Sequence, residues 1–405
     1  MGYRMKCAGS KQYVIFLIVT FLACANSSAQ FLDDFNGTSI ATDPRAINGW
    51  TFFTGDGSAT MDFQQAGGFA SILVDSTKDQ RNIWWALIKR CVSADLDLGL
   101  LSKPGYELRI EAQIRTSHAP RRVNLSLNTQ RTTDFHTNLM EFDIPDTNNW
   151  HTISMTTKDF DAAPGDSVFG QLALMDWGLG KYRVDVNYFR VDIVNTASAG
   201  PDKGVGVPYH PPIPDPNTFE NAIKAAQDAM VDIQYPEMNF NNWYTRNSAE
   251  KTYLLTVNGM QLVIMRWDLS KFIGKKAAGS GLLELTTHSL QRGFDNLKDF
   301  GQVRIIEILG GDPNWEQQTV TYNSLCRGQP MDNVFNSQMI IDTEVSQLQG
   351  GKTLITISNP VLQRMISGRT LGLAIRPLGA VNASFYAMEN QGGKFGPALR
   401  FNLQK

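Results

Sequence analysis

Residues 122–130 read RVNLSLNTQ, a stretch in which apolar and polar side chains alternate. Because successive side chains of a β-strand point to opposite faces, this spacing predicts a strand with Val123, Leu125 and Leu127 on its core face. The other face then carries only polar side chains, namely Arg122, Asn124, Ser126, Asn128 and Gln130. Such alternation is typical of a sheet that packs one face on a core and leaves the other face open.

The same alternation recurs on both sides of this strand. It is present in ELRIEAQIR at 107–115, in LMEFDI at 139–144 and in YRVDVNYFR at 182–190. Turns rich in Pro, Gly and Asn separate these runs, and strand-like segments continue from residue 253 to the end. Residues 219–230 instead have apolar spacing near 3.6 residues, which predicts a short helix. The sequence thus predicts an all-β chain of two jelly-roll-like β-sandwiches.

The boundary between the two sandwiches is predicted at residues 195–217, which read NTASAGPDKGVGVPYHPPIPDPN. This segment is rich in Pro and Gly and has no hydrophobic period, so it is expected to be a linker. We therefore expect one sandwich at residues 30–194 and a second at residues 218–405, both within the usual size of a domain.

The N-terminal residues 1–29 have the features of a secretory signal peptide. Basic residues precede an apolar run at 14–25, and small residues at 27–29 suit a cleavage site. The run is too short to span a membrane, so we expect a secreted, extracellular or periplasmic protein without a transmembrane segment. Cys24 lies in a stretch that resembles a bacterial lipoprotein box, but Phe21 fits its first position poorly, which makes lipid anchoring the less favoured alternative.

A basic window at residues 115–136 surrounds the opening strand. It holds four arginines, two histidines and one carboxylate, in a chain whose formal net charge is −2. Arginine's planar fork of donors suits carboxylate and sulfate groups, so the window predicts an anion-binding surface. Nucleic acid is not expected, because the chain is acidic overall and the basic residues of the window interleave with Asn, Gln and Thr rather than with stacked aromatic residues. The predicted ligand-binding residues are Arg115, Arg121, Arg122, Asn124, Asn128, Gln130 and Arg131, with Trp84 as an aromatic platform.

The second half resembles a known type of module. The segments MRWDL (265–269), IIEIL (305–309), WEQQTVTYN (315–323), SFYAME (384–389) and GPALRF (396–401) are similar in order and spacing to the disaggregatase-related (DNRLRE-type) carbohydrate-binding modules. This resemblance implies a β-sandwich that binds polysaccharide, and it does not identify the binding residues. Packing in a core is the favoured explanation for Trp267 and Phe385, whereas Trp315 lies in a polar, loop-like context that fits either role.

The first half is similar to the ulvan lyases, whose jelly rolls place Arg, Asn or Gln, His and Tyr on one sheet face. This resemblance implies cleavage of an acidic, sulfated polysaccharide by β-elimination. Donors must neutralise the uronate, a base must remove the α proton, and an acid must protonate the leaving oxygen. We expect His136 as the base, His118 as the alternative base and Tyr188 as the acid, with no cofactor required. Both histidines could equally be surface or capping residues.

Three further expectations remain open. A structural calcium ion could lie between Asp34 and Asp185, because carboxylates near the ends of a jelly roll are suitable ligands. The chain could also be a pair of non-catalytic carbohydrate-binding domains. Alternatively it could be a glycoside hydrolase that uses paired carboxylates, either Glu107 with Glu111 or Glu141 with Asp143. The sequence does not predict an oligomeric state.

Overall fold

The structure is a computed structural model that describes residues 30–37, 49–54, 59–65, 67–78, 86–174, 181–209, 211–241, 252–292, 302–378 and 381–405. The predicted signal peptide at 1–29, with Cys24, and the predicted platform Trp84 lie outside the described residues.

Within these ranges, two sheets of six strands form the first sandwich. Sheet 1 consists of β1 (Gln30–Asp33), β3 (Thr60–Gln65), β4 (Ala70–Asp75), β6 (Tyr106–Thr116), β9 (His151–Thr156) and β11 (Lys181–Asn195). Its order is β3-β4-β11-β6-β9, and β1 also pairs with β11. Sheet 2 consists of β2 (Trp50–Phe53), β5 (Leu87–Cys91), β7 (Arg121–Thr129), β8 (Leu139–Ile144), β10 (Val168–Ala173) and β12 (Gly206–Pro208). Its order is β12-β8-β7-β10-β5-β2.

The core of the first sandwich follows from the alternation along its strands. Val123, Leu125 and Leu127 of β7 are buried in one cluster with Ile110 and Ile114 of β6. Side chains that alternate along each strand therefore meet between the two sheets, as expected for packed antiparallel sheets. The predicted strand at 122–130 and its core face are confirmed.

In the second half, the described residues form one sheet of eleven strands that folds back over itself. Its strands are β13 (Asn221–Lys224), β14 (Gln227–Asp232), β15 (Leu254–Asn258), β16 (Gln261–Arg266), β17 (Gly281–Arg292), β18 (Gln302–Ile308), β19 (Phe335–Glu344), β20 (Lys352–Ile357), β21 (Gly372–Leu378), β22 (Val381–Tyr386) and β23 (Ala398–Phe401). Three short helices accompany them in the described part: α1 (Tyr322–Cys326), α2 (Met331–Val334) and α3 (Asn359–Ile366).

Strand β17 joins the two layers of the second sandwich. Its first half pairs with β20 and β23, and its second half, from Thr287 onward, pairs with β22, with a bulge between Thr287 and Ser289. The two layers enclose a core that includes Phe385 and Trp267, whereas Trp315 is buried in a second cluster outside one layer. The prediction of an all-β fold built of sandwiches is confirmed.

The predicted helix at residues 219–230 is wrong, because this segment forms β13 and begins β14. Strand β14 pairs with β16, and apolar clusters lie on both of its sides. Met230 belongs to one cluster, while Ala229 and Val231 belong to the other. A strand that is buried on both faces loses the period of two, so its small and apolar residues resembled a helical pattern.

The segment at 195–217 is bound to both sandwiches. Its Asp202 accepts hydrogen bonds from the backbone and the hydroxyl of Thr156 at 2.9 and 2.8 Å. Val207 in β12 pairs with Glu141 in β8, so this part extends sheet 2 by one strand. Further on, the Thr356 hydroxyl donates to the carbonyl of Pro212 at 3.0 Å. The described parts of the predicted linker, 195–209 and 211–217, therefore form contacts with both sandwiches.

Candidate functional site

The polar face of β7, from which the sequence predicts ligand binding, is buried. Arg122, Asn124 and Asn128 are exposed by only 2%, 1% and 4%. Strand β19 of the second sandwich lies against β7, and Arg364 of α3 comes within 3.7 Å of Asp143 in β8. The second sandwich therefore covers this face, and the prediction that these three residues bind a ligand has to be corrected.

Arg122 lies instead in a buried cluster of charges between the two sandwiches. Its guanidinium donates to Glu141 at 3.0 Å and to Asp143 at 2.9 Å. On the other side, Arg364 pairs with the fully buried Glu307 at 2.7 Å. Burial raises the pKa of Glu141 to about 8, against the opposing charge of Arg122. The carboxylate pair Glu141 and Asp143, considered for a hydrolase, is thus enclosed with arginines and closed to substrate.

Three further residues of the basic window lie at the ends of β7, where Gln130 and Arg131 are exposed and Arg121 is half-buried. Arg131 pairs with Asp161 and with Asp166, at 2.8 Å in each case, and Gln130 donates to Asp166 at 2.7 Å. At the other end, the guanidinium carbon of Arg121 lies 3.5 Å from the ring centre of Tyr182. These contacts explain the positions of all three side chains within the first sandwich.

The two predicted catalytic histidines do not meet. His118 is exposed just before β7, with its Nδ1 2.8 Å from the hydroxyl oxygen of Ser117. His136 follows β7, and its ring is stacked on Tyr209 with 4.1 Å between ring centres. A strand of this length separates its ends by on the order of 25 Å, at about 3.3 Å per residue. One active site cannot contain both histidines.

Polar and aromatic groups of the chain converge instead on the outer face of sheet 1, which is the side turned away from the core. The face is formed by β4, β11, β6 and β9, with contributions from neighbouring turns. Its central residues are Glu111, Gln113, Arg115, Asp185, Asn187, Tyr188, Arg190 and Asp192, together with Phe69, Trp150 and Lys203. Of the residues predicted from the sequence, it holds Arg115, Tyr188 and Asp185, and also Glu111, which the sequence indicates as one member of a hydrolase pair.

Glu111 is the centre of one half of this face. Its carboxylate is almost fully buried, and it accepts a hydrogen bond from the Tyr188 hydroxyl at 2.9 Å. The ammonium of Lys203 lies 2.9 Å from the same carboxylate, and Arg190 lies 3.7 Å from it. Burial, together with the bond to Glu111, raises the pKa of Tyr188, so this phenol is a proton donor rather than a base near neutral pH.

The other half of the face is built around Arg115. Its guanidinium pairs with Asp185 at 2.8 Å and lies 4.7 Å from the ring centre of Trp150. Phe69 meets the same indole edge-on, with 5.9 Å between ring centres. Gln113 lies between the two halves, where its amide accepts from Asn187 at 2.7 Å and donates to Thr152 at 3.2 Å.

A β-bulge brings the two halves to the same side of the sheet. Up to Asp185, the odd-numbered side chains of β11 point outward, and the register shifts between Val186 and Tyr188. After the shift, the even-numbered residues Tyr188 and Arg190 point outward instead. Regular alternation would have placed Asp185 and Tyr188 on opposite faces.

Several residues of this face were not predicted from the sequence. The sequence indicates Glu111 only as a hydrolase carboxylate paired with Glu107 and does not single out Gln113, because their alternation with core residues at 107–115 is a pattern that ordinary cross-strand ion pairs also produce. Trp150 comes from a turn, and Lys203 comes from the segment expected to be a linker. Trp150 directly precedes the strand at 151–156, and this position is the signal in the sequence that points to an aromatic residue at the edge of the face.

Asp185, one of the two expected calcium ligands, has two arginines and a serine hydroxyl as its partners. Arg115 and Arg183 lie within 2.8 and 3.2 Å of its carboxylate, and Ser71 donates to it at 3.1 Å. Asp34 forms a local turn with Asn36. In the described part of the chain, no group of three or more His, Cys, Asp or Glu residues is arranged to hold a metal ion. Nor does any described helix have the length and apolarity needed to cross a membrane.

No protein-family model and no curated protein matches this chain. Among solved structures, one described as "CBM4 structure and function" is 14% identical, with a TM-score of 0.31 over 40% of this chain and 97% of that one. A putative sugar binding protein from Bacteroides thetaiotaomicron is 15% identical, with a TM-score of 0.28 over 39% of this chain and 94% of that one. The CBM22-1-CBM22-2 tandem domain from Paenibacillus barcinonensis Xyn10C is 11% identical, with a TM-score of 0.26 over 94% of this chain and 99% of that one. Likenesses at this level do not decide the function, which has to be argued from the site.

Proposed function

We propose that the outer face of sheet 1 binds an acidic polysaccharide outside the cell. The observation that carries this proposal is the arrangement of charge on that face. The side chains of Arg115, Arg190 and Lys203 are exposed by 33%, 34% and 55%. Their carboxylate partners Asp185, Asp192 and Glu111 are exposed by 3%, 14% and 4%. A ligand at this face therefore meets cations first, with the carboxylates held behind them.

The other groups on the face suit a sugar chain. A pyranose ring has an apolar C–H side, which packs on aromatic rings such as Trp150, and an edge of hydroxyl groups. Those hydroxyls are matched by planar side chains with fixed donors and acceptors, here Gln113 and Asn187. Guanidinium groups such as Arg190 bind carboxylate or sulfate through two parallel hydrogen bonds. The combination favours a uronate-containing or sulfated polysaccharide, and ulvan is a natural first substrate to test.

A lyase is the second candidate, and the surroundings of Tyr188 favour it. Two cations, Arg190 and Lys203, lie within 4 Å of Glu111, to which the Tyr188 hydroxyl is bonded. In β-elimination, cations of this kind would neutralise the uronate while the proton next to its carboxylate is removed. Tyr188 would then protonate the oxygen of the departing sugar, and Glu111 is the adjacent carboxylate that could accept a proton.

The test compares two arginines of the first sandwich by titration calorimetry with ulvan, alginate, pectin and glucuronan. Arg190→Ala removes a cation from the proposed face, whereas Arg131→Ala removes an exposed arginine that the sequence also predicts to bind ligand. We expect Arg190→Ala to weaken binding by about tenfold, as loss of one charged hydrogen bond does, and Arg131→Ala to leave it unchanged. If Arg131→Ala alone weakens binding, or if a carboxyl-reduced and desulfated polymer binds equally well, the proposal is wrong.

A further inference from the structure

The second sandwich contains a cleft of about 430 Å³ between the end of β13 and the loop that precedes β23. Lys224 and Lys394 line it, together with Met388 and the backbone of Gly392 and Gly393. Pockets that bind small molecules have volumes in the range of roughly 300–1,000 Å³. The cleft is therefore large enough for part of a saccharide chain.

The wall of the cleft is a fixed loop. Gln391, Gly392 and Gly393 have φ angles of 47°, 64° and 87°, which is left-handed backbone that glycine adopts without strain. At Gly396, a Cβ atom would lie 2.7 Å from the Cα atom of Met388, so a larger residue would force the two strands of the loop apart. The close approach at Gly396 and the left-handed turn together determine the shape of the cleft.

The charge around the cleft is positive. The Lys224 ammonium donates to two backbone carbonyls, those of Gly396 at 3.3 Å and Lys394 at 3.4 Å. On the adjacent strands, Lys352 and Arg400 share one carboxylate, that of Glu284, at 2.8 and 3.0 Å. Burial and the charges of Lys352 and Arg400 lower the pKa of Lys224, against the effect of Glu284. An anion in the cleft would offset this excess of positive charge.

A row of half-buried rings continues from the cleft across the surface. The Lys394 ammonium lies 5.3 Å from the ring centre of Phe395. Phe395 is 5.2 Å from Tyr386, whose ring in turn is 5.3 Å from the His288 ring. Rings in a row beside a basic cleft offer a track on which the apolar sides of successive sugar units can pack while a charged substituent enters the cleft.

We propose that this cleft, formed by Lys224, Lys394 and the 391–396 loop and continued by Phe395 and Tyr386, is a second binding site for an acidic saccharide. The inference rests on the proposed function, because it assigns the second sandwich its own contact with the same class of polymer. Two sites on one chain raise the avidity for a long polysaccharide without any new contact at either site.

The experiment uses the full chain and defined ulvan and glucuronan oligosaccharides in titration calorimetry. A background that carries Trp150→Ala and Arg190→Ala weakens binding at sheet 1, so that a contribution of the second site becomes measurable. Adding Lys224→Met and Lys394→Met should weaken the remaining binding by about tenfold or more, because two charged contacts are lost while the side-chain stems keep their packing. Lys271→Met is the matched control, since Lys271 also lies over a phenylalanine ring, 4.9 Å from the centre of Phe272, in the same sandwich.

The outcomes separate the two proposals. If the background variant binds more weakly than the unaltered chain and the added lysine variants cause no further loss, the cleft is not a site, whereas the site on sheet 1 stands. If the background variant binds as tightly as the unaltered chain and the lysine variants abolish binding, the cleft is the site and the proposal for sheet 1 is wrong. Equal loss in Lys271→Met would mean that the charge of the whole sandwich, rather than the cleft, attracts the ligand. Thermal unfolding of each variant verifies that it is folded.

Discussion

Asp143 of the first sandwich lies 3.7 Å from Arg364 of the second, and the two residues join the ion pairs of their own sandwiches into one buried cluster. Asp143 is held by Arg122, while Arg364 is held by Glu307. A charge in such a place is tolerated only because its partners replace the water that it lost. The cluster explains why the outward side chains of β7 are polar although they are buried.

Removing one member of this cluster should therefore cost stability rather than ligand binding. We expect Arg122→Ala to lower the free energy of unfolding by about 3–5 kcal/mol, since it leaves two buried carboxylates without their main partner. Urea unfolding followed by fluorescence measures this change. Arg131→Ala is the comparison, because Arg131 also pairs with two carboxylates but lies at the surface, where ion pairs contribute little. A stable Arg122→Ala variant with weakened polysaccharide binding would restore the sequence-based prediction for this residue.

The ordered segment between the sandwiches leads to a second prediction. Gly204 has a φ of 80°, and a Cβ atom there would lie 3.0 Å from a methyl carbon of Ile153. Gly204→Ala should therefore loosen β12 from β8 and speed tryptic cleavage after Lys203. Gly200→Ala is a close control: Gly200 has a φ of 68° but nothing within 4 Å of the added Cβ atom, so it carries the backbone strain without the clash. Equal cleavage rates in the two variants would show that contact with Ile153 does not hold the segment.

The sequence predicts the strands of this protein better than it predicts which faces are free. RVNLSLNTQ identifies β7 and both of its faces, because alternation is a local property. It cannot reveal that Arg364, more than two hundred residues further along the chain, lies over Asp143. The ion pairs of Arg131 are equally hidden from the sequence, because its partners Asp161 and Asp166 lie in another turn about 30 residues further along the chain.

The candidate site was only partly predictable for a related reason. Arg115 and Tyr188 are identifiable from the sequence as candidates, but their common face depends on the bulge after Val186. Lys203 reaches Glu111 only because the connecting segment runs along β9. Register shifts and long-range docking depend on tertiary packing, which alternation along a single strand does not encode.

Substitution of Tyr188 distinguishes a lyase from a binding protein. Tyr188→Phe removes the hydroxyl that donates to Glu111 and keeps the ring. If the protein is a lyase, formation of the unsaturated product, followed by its ultraviolet absorbance, should fall by about a hundredfold or more, as loss of a general acid does. Binding measured by calorimetry should change little.

His136→Ala tests the base predicted from the sequence, and we expect this variant to keep its turnover because His136 is remote from the outer face of sheet 1. Absence of product from the unaltered protein on all four polymers would rule out the lyase and leave binding alone.

The pH dependence of stability tests a buried carboxyl in the second sandwich. Asp228 in β14 is exposed by 2%, and burial, with the nearby charge of Glu389, raises its pKa from 3.8 to about 8. Between about pH 4 and pH 8, the folded state therefore holds a proton that the unfolded state releases, so stability falls as the pH rises through this window. One such group contributes a slope of at most about 1.4 kcal/mol per pH unit.

Asp228→Asn imitates the protonated form and can still accept the hydrogen bond from the backbone of Met388. We expect this variant to be more stable than the unaltered protein at pH 8 and to lose less stability as the pH rises. Part of the slope should remain, because Glu141 has a raised pKa as well. Asp232→Asn, at the other buried aspartate of β14, is the matched control and should keep the full slope. The free energy of unfolding is measured by chemical denaturation at a series of pH values. If it changes with pH in parallel for Asp228→Asn and the unaltered protein, Asp228 is ionised in the folded state and its assigned protonation is wrong.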